Sequence, residues 1–317
     1  MRSERARVLL VGRGPTAGSA LEGLATEFEV CAIVRDGDDD TTRRARALDV
    51  PVIDDVSVAS VRNAVTDLAP DAVVVSSYDR ILDAELVARC PFVNVHYAPL
   101  PRGRGRATVN WAIINGDDTA AITIHHLVAG LDAGGILFQD TVPITDTSTV
   151  TGVYDDLNDL QRRHIAAATA RAIDGDPGTS QDADDATYYC TRIPDDGEID
   201  WSSDTAAIDR LVRALQPPFP HAFTWLGLER LHVVSALPVA DAPTYEGRIP
   251  GRVVRVDRST GEVDVLTGDG VLRLRTIHTG DDQPLSAASK ISSVRFTLGL
   301  RVADLVDLID RSAEVDR

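Results

Sequence analysis

Lysine is almost absent from this chain: of the 32 lysines and arginines among 317 residues, only Lys290 is a lysine. Cysteine is nearly as scarce, with Cys31, Cys90 and Cys190 far apart and odd in number. No two are spaced as C-x-x-C, so neither a disulfide framework nor a zinc site is implied, and no metal is expected. All three read as small buried residues. No apolar run approaches the roughly 18 residues of a membrane span. The run Val8–Val11, behind the charged segment Met1 to Arg7, is too short for a signal peptide. The expected location is therefore cytoplasmic, with no membrane partner. No internal repeat is visible.

Acid is what the sequence has in excess. The net charge is −17, and Asp outnumbers Glu. Such a surface repels itself at low salt and stays hydrated at high salt, which points to an acidic, halophilic-type protein. A GC-rich genome would account for arginine over lysine but not for the acid. The charge also argues against a large nucleic-acid footprint, which needs a basic face, although high cytosolic salt would screen phosphate contacts anyway. The hydrophobic fraction of 44% is ordinary for a globular core. The length suggests about two domains.

Apolar runs at 7–12, 30–34, 51–53, 72–75 and 92–95 alternate with helix-like segments such as 58–68 and 84–88. That alternation predicts an α/β fold: a Rossmann-like, mostly parallel sheet with helices on both faces. Strands are also expected at 120–125 and 136–142, and a helix at 150–173. The Asp- and Gly-rich stretch 174–186 reads as a solvated linker closing a first domain over 1–186. In the second domain, 187–317, Ser203 or Asp204 caps a helix through Leu215. Short alternating runs at 231–234, 251–256, 262–266 and 271–277 then predict a small β-barrel or sandwich.

Chemistry concentrates in two places. Asn94 and His96 sit two apart at the end of an apolar run, so on a strand they share a face. Asp132 lies in the loop Gly130-Leu131-Asp132-Ala133-Gly134-Gly135. An amide donor, an imidazole and a supporting carboxylate are the parts needed to move an acyl group. A competing signal is Gly12-x-Gly14-x-x-Ala17 with Asp36 at the end of the second strand, a loose dinucleotide fingerprint. It leaves a nicotinamide-dependent oxidoreductase as the alternative outside acyl transfer.

The text between Asn94 and Asp132 includes Leu100-Pro101-Arg102-Gly103-Arg104-Gly105 and Asn110-Trp111-Ala112-Ile113-Ile114-Asn115-Gly116. In order and spacing, the segment from Val93 to Leu137 resembles the folate-dependent formyltransferases of one-carbon metabolism. These include methionyl-tRNA formyltransferase and the amino-sugar N-formyltransferases. The resemblance implies a formyl transferase with His96 as general base and acid, Asn94 at the oxyanion, and Asp132 orienting His96. It implies N10-formyltetrahydrofolate as donor, held by Arg80, Ile81 and Leu82, by Val128, Ala129, Gly130, Leu131 and Asp132, and by Arg106. Arg104 is expected to hold the Leu-Pro loop in shape. The C-terminal domain is expected to be OB-like, as in this family.

The sequence departs from the family pattern in three places. Gly103 stands where the family has an aromatic, Tyr97-Ala98-Pro99 follows the histidine, and Gly135 replaces a second Asp common in the family. The acceptor is expected to be the amine of an amino-sugar nucleotide, because Thr191-Arg192-Ile193-Pro194-Asp195-Asp196 resembles the formyltransferase domain acting on UDP-4-amino-4-deoxy-arabinose. Methionyl-tRNA and an amino-acid or hydroxamate precursor remain alternatives. The acidic segment Arg35-Asp36-Gly37-Asp38-Asp39-Asp40, where the tRNA enzymes carry a basic insertion, argues against RNA. A homodimer would be unsurprising. A degenerate member that only binds folate or nucleotide would keep its function without His96.

Overall fold

A computed structural model describes residues 5–280 and 283–306; residues 1–4 and 307–317, at the outer ends of the two expected domains, lie outside the described residues. The chain forms two compact units. One comprises the residues up to Val109, Asp118–Ile144 and Gly152–Thr191. The other comprises Asn110–Asp117, Thr145–Thr151 and the residues from Arg192 onward.

As far as Tyr189 the elements run β1 (Arg7–Gly12), α1 (Gly14–Leu24), β2 (Glu29–Val34), α2 (Asp40–Ala47), β3 (Val52–Ile53), α3 (Val58–Leu68), β4 (Ala72–Ser76), α4 (Ala84–Val87), β5 (Phe92–His96), β6 (Arg104–Gly105), α5 (Thr108–Asn115), β7 (Thr119–His126), β8 (Ile136–Pro143), α6 (Val150–Ile173) and β9 (Tyr188–Tyr189). Seven strands form one sheet in the order β3-β2-β1-β4-β5-β7-β8. The first five are parallel, and the β5–β7 and β7–β8 pairs are antiparallel.

Both faces of this sheet are covered, which is why its strands read as continuous apolar runs. Leu9, Val11, Val73 and Val75 pack with Val61 and Val65 of α3 and Leu86 of α4. Their neighbours Val8, Leu10 and Val74 are also fully buried, on the opposite face. There α1 lies against α6, so close that a Cβ on Gly23 would sit 2.5 Å from the Arg162 carbonyl oxygen. Each fully buried Val or Leu adds about 1.5–3 kcal/mol.

The second unit continues with a 3-10 turn at Pro194–Gly197, α7 (Thr205–Ala214), β10 (Ala222–Leu226), β11 (Glu229–Pro238), β12 (Val253–Asp257), β13 (Glu262–Leu266), β14 (Val271–His278), β15 (Leu285–Ser286) and α8 (Ala287–Lys290). Its sheet is antiparallel, in the order β10-β11-β14-β13-β12 with β15 on β14. Asp204 caps α7 by accepting from the Ala207 N–H at 2.5 Å. Ile208 and Val212 of α7 and Trp201 pack on Leu231, Val233, Leu272 and Leu274.

Two expectations change. The stretch 174–186 is solvated as expected, but it is tied into the first unit and is no free linker: Thr179 pairs with Ile136, and Gln181 Nε2 donates to the carbonyls of Asp132 and Gly134, both at 2.8 Å. Its Asp and Gly residues serve turns, as where Asp176 accepts from the Gly178 N–H at 2.8 Å. Of the cysteines, only Cys31 is fully buried; Cys90 is half-buried and Cys190 is exposed.

Candidate active site

β5 carries two side chains of the site. Asn94 lies opposite His125 in the β5–β7 pair, and His96 lies opposite Thr123. Asn94 Nδ2 is 3.1 Å from His125 Nε2. His96 is 8% exposed, and its Nε2 lies 2.9 Å from the Gly103 carbonyl oxygen. A carbonyl only accepts, so Nε2 carries a proton. The other ring nitrogen, Nδ1, faces Asp132 Oδ2 at 3.8 Å.

Asp132 reaches this point from the loop after β7. Its φ of 46° is left-handed, a region that Asp tolerates better than most residues. The loop is closed by the His126 N–H donating to the Gly135 carbonyl at 2.9 Å. Gly134 passes so near that a Cβ there would be 1.8 Å from the His126 oxygen. The carboxylate sits between two imidazoles, 3.8 Å from His96 and 4.0 Å from His125. The sequence suggests a bond from Asp132 to the His96 ring. The structure brings the two into ion-pair range without a hydrogen bond, and Asp132 Oδ2 accepts instead from the Gly105 N–H at 3.0 Å.

Sequence reading passed over His125, which is 1% exposed. Burial pushes it down to about 4, reinforced by His96, while Asp132 pulls the other way. It was visible as the last inward residue of the run 120–125. What hid it was the direction of β7: only an antiparallel neighbour puts it across from Asn94. Tyr97 was also missed. Its hydroxyl lies 2.8 Å from both Asn158 Oδ1 and Gln161 Oε1 of α6, anchoring the chain directly behind His96.

The residues expected to hold the donor fall on two loops. Leu82 and Leu127 belong to the same apolar cluster, so the loops after β4 and β7 border one core. Ile81 is 92% exposed, Leu131 59% and Val128 44%. Arg80, Ala129, Gly130 and Arg106 are also exposed. Arg104 is buried, and its Nη2 donates to Gln181 Oε1 at 2.8 Å, which ties the Leu-Pro loop to the segment behind Asp132. Among the described residues, no group of three or more His, Cys, Asp or Glu could hold a metal ion.

The glycine loop has a packing explanation. A Cβ on Gly12 would lie 1.8 Å from the Ser76 carbonyl oxygen, so glycine lets β1 approach β4. Asp36, which a ribose would need, is paired with Arg13 at 2.8 Å. The acidic segment after β2 is not a bare negative patch either. Asp38, Asp39 and Asp40 pair with Arg46, Arg35 and Arg44 respectively.

Two family profiles match the chain. One, described as formyl transferase, covers residues 55–169; the other, described as formyl transferase, C-terminal domain, covers residues 193–295. Among solved structures, HypX from Aquifex aeolicus in complex with tetrahydrofolic acid is similar over 92% of this chain at 18% identity, with a TM-score of 0.62. This chain spans about half of that protein, 48% of its length. A sugar N-formyltransferase from a Shewanella strain is 21% identical over 69% of this chain and 92% of its own, with a TM-score of 0.55. WlaRD, a sugar 3N-formyl transferase solved with dTDP and 5-N-formyl-THF, is 12% identical over 89% of this chain and all of its own, with a TM-score of 0.62. At such identities the likeness to these structures is one of fold. No helix among the described residues is long and apolar enough to cross a membrane.

Proposed function

Because this chain belongs to the formyl transferase family, we propose that it moves a formyl group from N10-formyltetrahydrofolate to a primary amine, with Asn94, His96 and Asp132 as the working groups. The observation that carries this reading is their convergence. Residues 94, 96 and 132 come from two segments, yet Asn94 and His96 share a strand face and Asp132 Oδ2 lies 3.8 Å from the His96 ring.

The geometry supports a task for each group. With Nε2–H directed at the Gly103 carbonyl, the lone pair of neutral His96 is on Nδ1. As the amine nitrogen bonds to the formyl carbon, Nδ1 takes the amine's proton. The resulting imidazolium then lies beside the Asp132 carboxylate, which offsets its charge. Asn94 has a second amide hydrogen besides the one turned to His125, and it donates that hydrogen to the formyl oxygen as negative charge gathers there. His96 then returns the proton to the departing nitrogen, whose bond to the formyl carbon breaks.

The donor seat fits the loops. The donor supplies the formyl carbon and a flat, largely apolar ring system. Ile81, Val128 and Leu131 are large apolar side chains left in solvent on the two loops that border one core, as a ligand wall would be. HypX with tetrahydrofolic acid and WlaRD with 5-N-formyl-THF share the fold. Arg80 and Arg106 stand exposed, available to the donor's carboxylates. Leu131→Ser is expected to raise the donor KM several-fold with no loss of thermal stability. An unchanged donor KM would remove this loop from the seat.

For the acceptor, the favoured class is an amino-sugar nucleotide. Sugar N-formyltransferases are among the similar folds, and the net charge of −17 disfavours a large RNA surface. The residues 36–40 contribute little to that argument, since their acids are paired with arginines. The test is a panel of amino-sugar nucleotides, charged initiator tRNA and amino acids, with N10-formyltetrahydrofolate, in molar and in low salt. A formylated sugar nucleotide alone supports this class. Formylated methionyl-tRNA or a formylated amino acid would replace it.

A further inference from the structure

His125 lies behind Asn94, and its hydrogen bonds fix its tautomer. Nδ1 is 2.8 Å from the His126 carbonyl oxygen, which has no hydrogen to give, so Nδ1 carries the proton and donates. In a neutral ring, Nε2 is then a bare lone pair. The Asn94 amide nitrogen is 3.1 Å from it. Only the NH2 end of an amide can serve a lone pair, so His125 also fixes which way the Asn94 amide is turned. One amide hydrogen goes to His125, and the other keeps a set direction.

We propose that His125 is a positioning residue for formyl transfer: a buried, uncharged acceptor that holds the Asn94 amide so that its second N–H meets the formyl oxygen. The proposal rests on the role given to Asn94 above. The surroundings suit an uncharged ring. His125 is 1% exposed, and the His96 ring stands edge-on with its centroid 6.5 Å away. The titratable groups that face it are His96 on β5, Asp132 on the following loop and its own neighbour His126. Burial and His96 push His125 down to about 4, against the pull of Asp132. Protonation would turn Nε2 from acceptor into donor. The Asn94 bond would be lost, and the new N–H would face Asp132 Oδ1, 4.0 Å away.

A double-mutant cycle tests this. His125→Leu removes the acceptor, whereas the side-chain oxygen of His125→Gln can still accept from Asn94. We expect His125→Leu to lower kcat about 10- to 100-fold, short of the loss from deleting an oxyanion donor outright. KM for both substrates should hold, and His125→Gln should recover most of the rate. In an Asn94→Ala background, His125→Leu should cost nothing more, because it acts through the missing amide. An equal loss in both backgrounds would overturn the proposal. A harmless Asn94→Ala would instead overturn the reading of Asn94. Nitrogen-15 NMR of the histidine rings, with the His125 signal assigned by its absence in His125→Gln, gives a readout independent of turnover. Protonated Nδ1 and bare Nε2 are expected, and a proton on Nε2 would contradict the proposal.

Discussion

At the scale of single residues, Asp132 separates charge from shape. Its carboxylate accepts from the Gly105 N–H, and its backbone is left-handed at φ 46°. Asn meets both demands, since it carries an acceptor oxygen and tolerates that backbone region. Asp132→Asn should therefore cost no more than about 1 kcal/mol of stability, the centre of the range for point substitutions. Its kcat should fall steeply, because nothing offsets the charge on His96. A large drop in stability would mean that the carboxylate is structural. That Asn94, His96 and Asp132 come together was legible from the sequence chiefly because the segment between them resembles the formyltransferases; the two-residue spacing and the glycine-flanked Asp alone would more often mark a polar strand end and a turn. His125 and the Gly103 carbonyl were not. One depends on strand direction and the other on the path of a loop, and neither leaves a local periodicity.

Among the elements, the turn between β7 and β8 holds the site together. Gly134 has an ordinary backbone but no room for a methyl group, with the His126 oxygen 1.8 Å from where its Cβ would lie. Gly134→Ala should cost about 1–3 kcal/mol by overpacking. It should also lower activity by moving Asp132, two residues away. Gly247→Ala has nothing within 4 Å and serves as the silent control. In the C-terminal unit, His232 stacks on His278 with ring centroids 4.7 Å apart, and His221 meets His278 at 5.2 Å. Burial, then His278, lowers the affinity of both His221 and His232 for protons. The folded state therefore binds fewer protons than the unfolded state just below the ordinary histidine value. Stability is full above about pH 6.5 and declines as pH falls below it. His278→Gln should partly flatten that decline in thermal melts between neutral and mildly acid pH; an unchanged slope would remove His278 as a cause and leave burial alone. The parallel strands and α6 were legible because continuous apolar runs and a 3.6-residue period survive burial on two faces. β10 was not, because it directly follows the Pro217, Pro218 and Pro220 cluster and reads as loop.

The whole molecule carries a net charge of −17. Many of its arginines are already paired, as Arg13, Arg44 and Arg273 show. The unpaired excess is acid, and acid repels acid. Salt shortens that repulsion to about 3 Å at 1 M. The melting temperature should therefore rise between low and molar salt. A fall would mean that the ion pairs outweigh the repulsion, and the halophilic reading of the composition would go with it. The charge was legible from composition alone, whereas its pairing around α2 was not, since that depends on which helix face meets which loop.

The most direct test of the central claim is mass spectrometry of an amine acceptor after incubation with isotopically labelled N10-formyltetrahydrofolate and either wild type or His96→Ala. The two proteins should be matched in folding and in donor binding. The account predicts labelled formamide product from wild type and a rate lower by about 10²- to 10⁴-fold without His96, the usual worth of a general acid–base group. Equal product from both proteins would contradict it.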